Sequence, residues 1–324
     1  MTTTKTQLPD VRSLRIEGVA TALTPISHGD GVAGTVALFR REKIAQLDGT
    51  ITDVPVVSGN SLRGLLRDHA AQVMWRHLGS PQLEPAVFDL MWSGGQLTKS
   101  GSLSSRQLAQ IRRVNPLVSL FGGSGAGRII EGKLRVSRLV PICAETAHLL
   151  PEGITPPDQV QPGRNLLQIM EFSRRDDAKR DQLRPAFAGE LDPGATADPA
   201  TGELIPAETG DEPEGRESPM QMRYGVEVLV AGTQMSWGVQ LVGVTDPEIA
   251  LFAEAMDSWF SDGAHIGGRA ATGHGRLRLD CHQWENRSES TTVGDALVTR
   301  TQVSLAAHVD AHRDVILETL GWFA

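Results

Sequence analysis

Two stretches of helical periodicity, each set between stretches that alternate apolar and polar residues, constrain this fold more than any other feature. From Leu62 onward, Leu62, Leu65, Leu66, Ala70, Val73 and Met74 recur at the spacing of one helix face. That helix is predicted to run to about Leu78, where Gly79-Ser80-Pro81 stops it. A second helix is predicted over Ile249–Phe260, with Asp246-Pro247-Glu248 as its start and proline in the first turn. Alternation predicts strands at Leu14–Leu23, Gly132–Val140, Gly225–Val242 and Arg276–Trp284. In chain order the core reads strand, helix, strand, strand, helix, strand, the βαββαβ split unit of an α+β, ferredoxin-like fold.

The remaining segments are insertions into that order. A short strand is expected at Thr35–Phe39, preceded by a loop, Ser27-His28-Gly29-Asp30-Gly31. Short helices are expected at Ala86–Trp92 and Ser105–Arg112, around the loop Ser93-Gly94-Gly95, which makes residues 80–130 an inserted lobe. Val309–Trp322 reads as a C-terminal helix, and Thr292–Val303 is left without an assignment. From Glu190 to Pro219 proline, glycine, aspartate and glutamate dominate, so the stretch around 171–221 is an excursion from the core, not a second domain. Residues 1–324 are therefore expected to form one elaborated domain.

Composition narrows the classes. With 40% hydrophobic residues the chain can bury a substantial core. No run of about 18 apolar residues exists, which excludes a membrane-spanning helix, and the polar start Met1-Thr2-Thr3-Thr4-Lys5-Thr6 lacks the apolar region of a secretory signal. Cys143 and Cys281 stand far apart without metal-ligand spacing, so both thiols are expected to be buried in a reducing, cytoplasmic compartment, with no metal and no cofactor. A formal net charge of −8 argues against coating nucleic acid by bulk charge, though a local basic groove is compatible with it.

Two stretches offer anion-binding chemistry. At the start of the first helix, Ser58, Asn60 and Ser61 are cap candidates, and Arg63 and Arg67 lie four residues apart. Such a start either holds a phosphate at its free N–H groups or is an ordinary capped helix with two solvated arginines. Near the end, Ile266–Arg276 places Gly267, Gly268, Gly273 and Gly275 among Arg269, Thr272, His274 and Arg276. Glycines allow close backbone approach, successive N–H groups can form an anion nest, and the basic side chains suit phosphate.

Other candidates are weaker. Phe121–Arg128 is glycine-rich but lacks the ending of a phosphate-binding P-loop and precedes a strand. His28 and Asp30 follow the first strand, yet no second acid–base group is placed by sequence to pair with them, and no Gly-X-Ser-X-Gly nucleophile motif occurs. Arg174 and Arg175 belong to a mixed charge run, Glu171–Arg180. The strand Gly132–Val140 has no aromatic residue and the chain has one tyrosine, Tyr224, so base stacking on a sheet face is not expected.

The combination VPVVSGNSLRGLLRDHA, NPLVSLFG with its glycine patch, GKLRVSRLVPI and IGGRAATGHGRLRL resembles the CRISPR-associated RAMP superfamily. More narrowly, it is similar to the backbone subunit of multisubunit effector complexes, in a type IV-like system. The resemblance spans about Leu14 to Trp284. It implies an RRM-like core with an inserted lobe and a protruding thumb at 171–221. It further implies a non-enzymatic protein that coats guide RNA as a helical homo-oligomer in an antiviral ribonucleoprotein. Its partners are then the guide, other effector subunits and, through the guide, a complementary target nucleic acid. The RNA-binding residues implied are Ser58, Asn60, Ser61, Arg63, Arg67, Arg174, Arg175, Gly267, Gly268, Arg269, Thr272, His274 and Arg276. Some relatives cleave RNA through an aspartate near the place of Asp30, so an endoribonuclease acting on target or guide precursor is the alternative. A metabolic protein binding a small anion is a third.

Overall fold

A computed structural model of the chain describes residues 11–96, 103–125, 127–174, 196–197, 204–205, 222–284 and 304–323. Its central strand, β1 (Arg12–Ala22), buries Leu14, Ile16, Ala20 and Ala22, as alternation requires. It pairs antiparallel with β14 (Gln234–Val244) on one side and β15 (Leu277–Trp284) on the other. Beyond β14 lie two short strands, β8 (Leu134–Val136) and β9 (Val140–Pro141). The sheet order is β15-β1-β14-β8, with every pairing antiparallel.

The two long helices complete the core. In α1 (Gly59–His77) the buried residues Leu62, Leu66, Ala70, Val73 and Met74 follow the predicted stripe. The helix ends where Gly79, at φ +88°, turns its N–H back onto Arg76. In α5 (Asp246–Ser261) Pro247 stands in the first turn, and the Glu248 carboxylate accepts the Thr245 N–H at 2.7 Å. Lys133 Nζ neutralises that buried carboxylate at 2.7 Å, tying the segment before β8 to the helix start. Phe252, Met256 and Trp259 of α5 share one core with Leu62 and Leu66 of α1 and Ile16 and Leu241 of the sheet. Each such fully buried side chain contributes roughly 1.5–3 kcal/mol.

The inserted lobe belongs to that same core. Its helices are α2 (Pro85–Ser93), α3 (Ser105–Val114) and α4 (Pro116–Phe121), followed by the strands β6 (Gly123–Gly125) and β7 (Arg128–Ile130). Every residue of α4 is buried, packed between α1 and α5. The last helix, α6 (Ser304–Gly321), begins five residues earlier than predicted and buries Leu305, Val309, Ile316 and Leu320 against α3 and α5.

A second sheet has the order β10-β13-β3-β2, built from β2 (Gly29–Ala33), β3 (Val36–Phe39), β10 (Leu167–Arg174) and β13 (Met222–Leu229). The strands β4 (Arg41–Ala45) and β5 (Ile51–Pro55) form a hairpin ahead of α1. Glu171–Arg174, expected in the excursion, continue β10 and pair with Met222–Gly225 of β13. The excursion thus hangs from a two-stranded base, and within it β11 (Thr196–Ala197) pairs with β12 (Leu204–Ile205). Arg175 and Thr292–Val303 lie outside the described residues. Among the described residues no helix is long and apolar enough to cross a membrane.

Three expectations change. The loop at Ser27–Gly31 becomes, from Gly29, the exposed strand β2. The single strand expected at Gly132–Val140 is broken, because Leu139 exchanges two backbone hydrogen bonds with Val57 (3.0 and 2.9 Å) instead of continuing the ladder to β14. The stretch Gly225–Val242 is two strands in two sheets, separated at Val230–Thr233, where Gly232 takes φ +86° and Thr233 Oγ1 donates to the Val230 carbonyl.

Candidate nucleic-acid interface

The turn into α1 is capped as predicted. Ser58 is extended, and its hydroxyl accepts the Ser61 N–H at 3.2 Å. The Ser58 N–H is itself given to Nε2 of His28 at 3.1 Å. His28 is half-buried, its ring edge against Phe39, and burial first, then Arg40, holds its pKa below the usual imidazole value while Asp30 opposes. An imidazole accepting at Nε2 must be neutral there, which agrees with that direction. Asn60 is exposed, and Ser58 and Ser61 are partly so.

Arg67 is not part of this surface. It is buried, and its guanidinium donates to the carbonyls of Met91 (2.8 Å), Leu90 (2.7 Å), Gly122 (2.9 Å) and Phe121 (3.3 Å). Those are carbonyls at the ends of α2 and α4, where helices leave acceptors unpaired. Desolvation lowers the Arg67 pKa to about 10. Arg63 is half-buried and donates to the Phe121 carbonyl at 2.5 Å. The pair expected to grip phosphate therefore braces the lobe against α1. For Arg67, whose donors are taken up inside the protein, the phosphate role is corrected. The Gly122–Gly125 patch belongs to the same brace: Gly122 caps α4 and Gly123–Gly125 form β6.

The late glycine loop docks onto the chain that follows β1. Gly268 donates to the Ser27 carbonyl at 2.8 Å, and Gly275 to the Pro25 carbonyl at 2.8 Å. Arg276 donates its backbone N–H to Thr24 Oγ1 at 3.0 Å. Contact this close needs glycine: a Cβ on Gly267 falls 2.3 Å from the Ser27 oxygen, and one on Gly275 falls 2.1 Å from the Ile266 oxygen, with φ at +77° and +86°. Ser27 holds this loop while its neighbour His28 holds the α1 turn. Two predicted sites more than two hundred positions apart in sequence are thus joined through adjacent residues.

The side chains of the loop are arranged unevenly. Gly267, Gly268, Thr272 and Arg276 are exposed, and Thr272 Oγ1 donates to the Arg269 carbonyl at 3.0 Å. His274, expected as a surface donor, is 4% exposed. Its pKa is lowered by burial and by Arg269, and its Nδ1 has no hydrogen-bond partner among the described residues. Arg269, a non-glycine residue at φ +65°, lays its guanidinium 4.6 Å from the Phe172 ring centre and 5.3 Å from that of Tyr224. These rings stack on each other at 5.5 Å and 18°, opposite one another in the β10–β13 ladder. Sequence reading missed this cluster, because Phe172 and Tyr224 stand on either side of the excursion and only its closure pairs them. Arg174 ends β10 opposite Met222.

Asp30 lies on exposed β2, 3.7 Å from Arg40, an ion pair open to solvent. Nε2 of the adjacent His28 is committed to Ser58. Cys143 is buried and its thiol is pushed up to about 11 by desolvation. Among the described residues no group of three His, Cys, Asp or Glu side chains is placed to hold a metal ion.

No protein-family model matches the chain, and no curated protein matches it. Among solved structures it is similar to a chain of a Type IV-B CRISPR complex, with a TM-score of 0.53 and 22% identity, covering 87% of this chain and 94% of that one. The two chains share a fold across nearly their whole lengths.

Proposed function

We propose that this protein is a non-enzymatic, RNA-binding backbone subunit of a type IV-like CRISPR ribonucleoprotein, of the RAMP superfamily. One observation carries the reading: the exposed turn into α1 and the exposed glycine loop converge on Ser27 and His28, beside the base of a long polar insertion. The helix start and the small exposed residues there suit a phosphate chain read without regard to sequence. The sheet order and antiparallel pairing support an RRM/ferredoxin-like βαββαβ core, and the fold likeness to a chain of a Type IV-B CRISPR complex supports the setting. In this reading the insertion is a thumb that reaches a neighbouring copy. Copies line one guide RNA in the cytoplasm beside other effector subunits, and the guide pairs with the target. Asn60, Ser61, Gly267, Gly268, Thr272 and Arg276 face the RNA.

The endoribonuclease reading gains less support, since Asp30 is paired with Arg40 and His28 is hydrogen-bonded to Ser58. Co-expression with and without the CRISPR array transcript tests the proposal. Purified protein should carry the processed guide only in the first preparation. Protein that is monomeric and RNA-free in both rejects it.

A further inference from the structure

We infer that Phe172, Tyr224 and Arg269 form a seat for one unstacked base of the bound RNA, an inference that rests on the RNA-binding reading above. The two rings stack with an interplanar angle of 18°, and the Arg269 guanidinium lies over them at 4.6 and 5.3 Å. All three side chains are partly exposed. Among the described residues Arg269 makes its side-chain contacts with the two rings. The buried His274 ring lies 6.3 Å from the Phe172 ring.

A planar cation resting on aromatic rings presents its other face to a further flat partner. Nucleobases stack on guanidinium planes and on aromatic rings, whatever their identity. The placement favours RNA over a protein side chain, because the seat adjoins the exposed Gly267, Gly268 and Thr272, where a sugar-phosphate backbone can approach closely on either side of a base. Arg269 holds a left-handed backbone, and the loop around it is pinned to Ser27 and Pro25, so the backbone that carries the guanidinium to the rings is set before a ligand arrives. The seat is built from β10, β13 and the glycine loop, not from the core sheet. Stacking is therefore available to a chain whose core strands carry no aromatic stripe.

The test uses the full chain and a fluorescein-labelled single-stranded RNA, with a matched oligomer of abasic ribose phosphates. Wild-type protein should bind the intact RNA roughly tenfold more tightly than the abasic one. Tyr224→Ala should lose about that factor on intact RNA and nothing on the abasic oligomer, with an unchanged salt slope. Tyr224→Phe should stay within about twofold of wild type, and Arg269→Lys, which keeps the charge but not the plane, should weaken binding severalfold. Equal binding of intact and abasic RNA by wild-type protein overturns the seat while leaving RNA binding in place, and this holds even if Tyr224→Ala fails to fold. Wild-type protein that binds neither oligomer overturns both the seat and the proposed function.

Discussion

Arg67 and Arg276 carry the same charge and do different things. Arg67 satisfies the carbonyls of Leu90, Met91, Phe121 and Gly122 from inside the protein, so its loss strands acceptors at two helix ends. Arg67→Met should cost about 3 kcal/mol in urea unfolding. Arg276 is exposed, and Arg276→Ala should leave stability within about 0.5 kcal/mol while making the salt dependence of RNA binding shallower by about one contact. The reverse pattern, a stable Arg67→Met with a shallower salt slope, contradicts the assignment. His28, His69, His274 and His308 all have folded pKa values below 6.5, with burial the largest cause in each. For such groups the unfolded chain binds more protons as pH falls past that value, so these histidines make the fold less stable at about pH 5.5 than at about pH 7.5. His28→Gln can still accept the Ser58 N–H, and it should narrow that difference. A urea midpoint difference between the two pH values as large as in wild type contradicts the role given to His28.

The glycine loop is where an element depends on single atoms. Gly275→Ala puts a Cβ against the Ile266 carbonyl, whereas Gly273, at φ +83°, has no atom within 4 Å of the same position. Gly273→Ala should therefore cost only about 1 kcal/mol, the penalty of the left-handed backbone. Gly275→Ala should cost at least about twice that and should also weaken RNA binding, because the loop can no longer close on Pro25. Equal costs contradict the packing described. The sequence made this loop legible through its glycines and basic residues, but not that His274 turns inward, since burial of one side chain depends on what packs over it. The helices were legible because their apolar stripes face a core. The break within Gly225–Val242 was written in the parity of the pattern: Val226 and Val228 are even, Trp237, Val239 and Leu241 odd, and Gly232 lies between. Strand β2 left no such trace, because all five of its residues are exposed and only its partner β3 defines it. The Arg67 brace was hidden for a related reason, because an arginine beside an apolar stripe reads as solvated until α2 and α4 close over it.

At the scale of the molecule, the lobe, the terminal helix and the central sheet share one hydrophobic core, while β10 and β13, which flank the insertion in sequence, pair up to Arg174 and Met222. In the proposed reading the core body would hold one stretch of RNA and the arm would engage the next copy. In the proposed reading, a chain with a net charge of −8 would hold RNA through the start of α1 and a few exposed arginines, so its salt dependence should be modest per copy. Repeated head-to-tail contacts of one surface with a different one give open, helical assemblies. The most direct test is the sedimentation mass of the purified ribonucleoprotein, measured with guide RNAs of two lengths and paired with electron micrographs of the same material. Mass should rise in steps of one protein copy as the RNA lengthens, and the particles should be helical. A fixed mass of one copy, whatever the RNA length, contradicts a subunit that coats its guide.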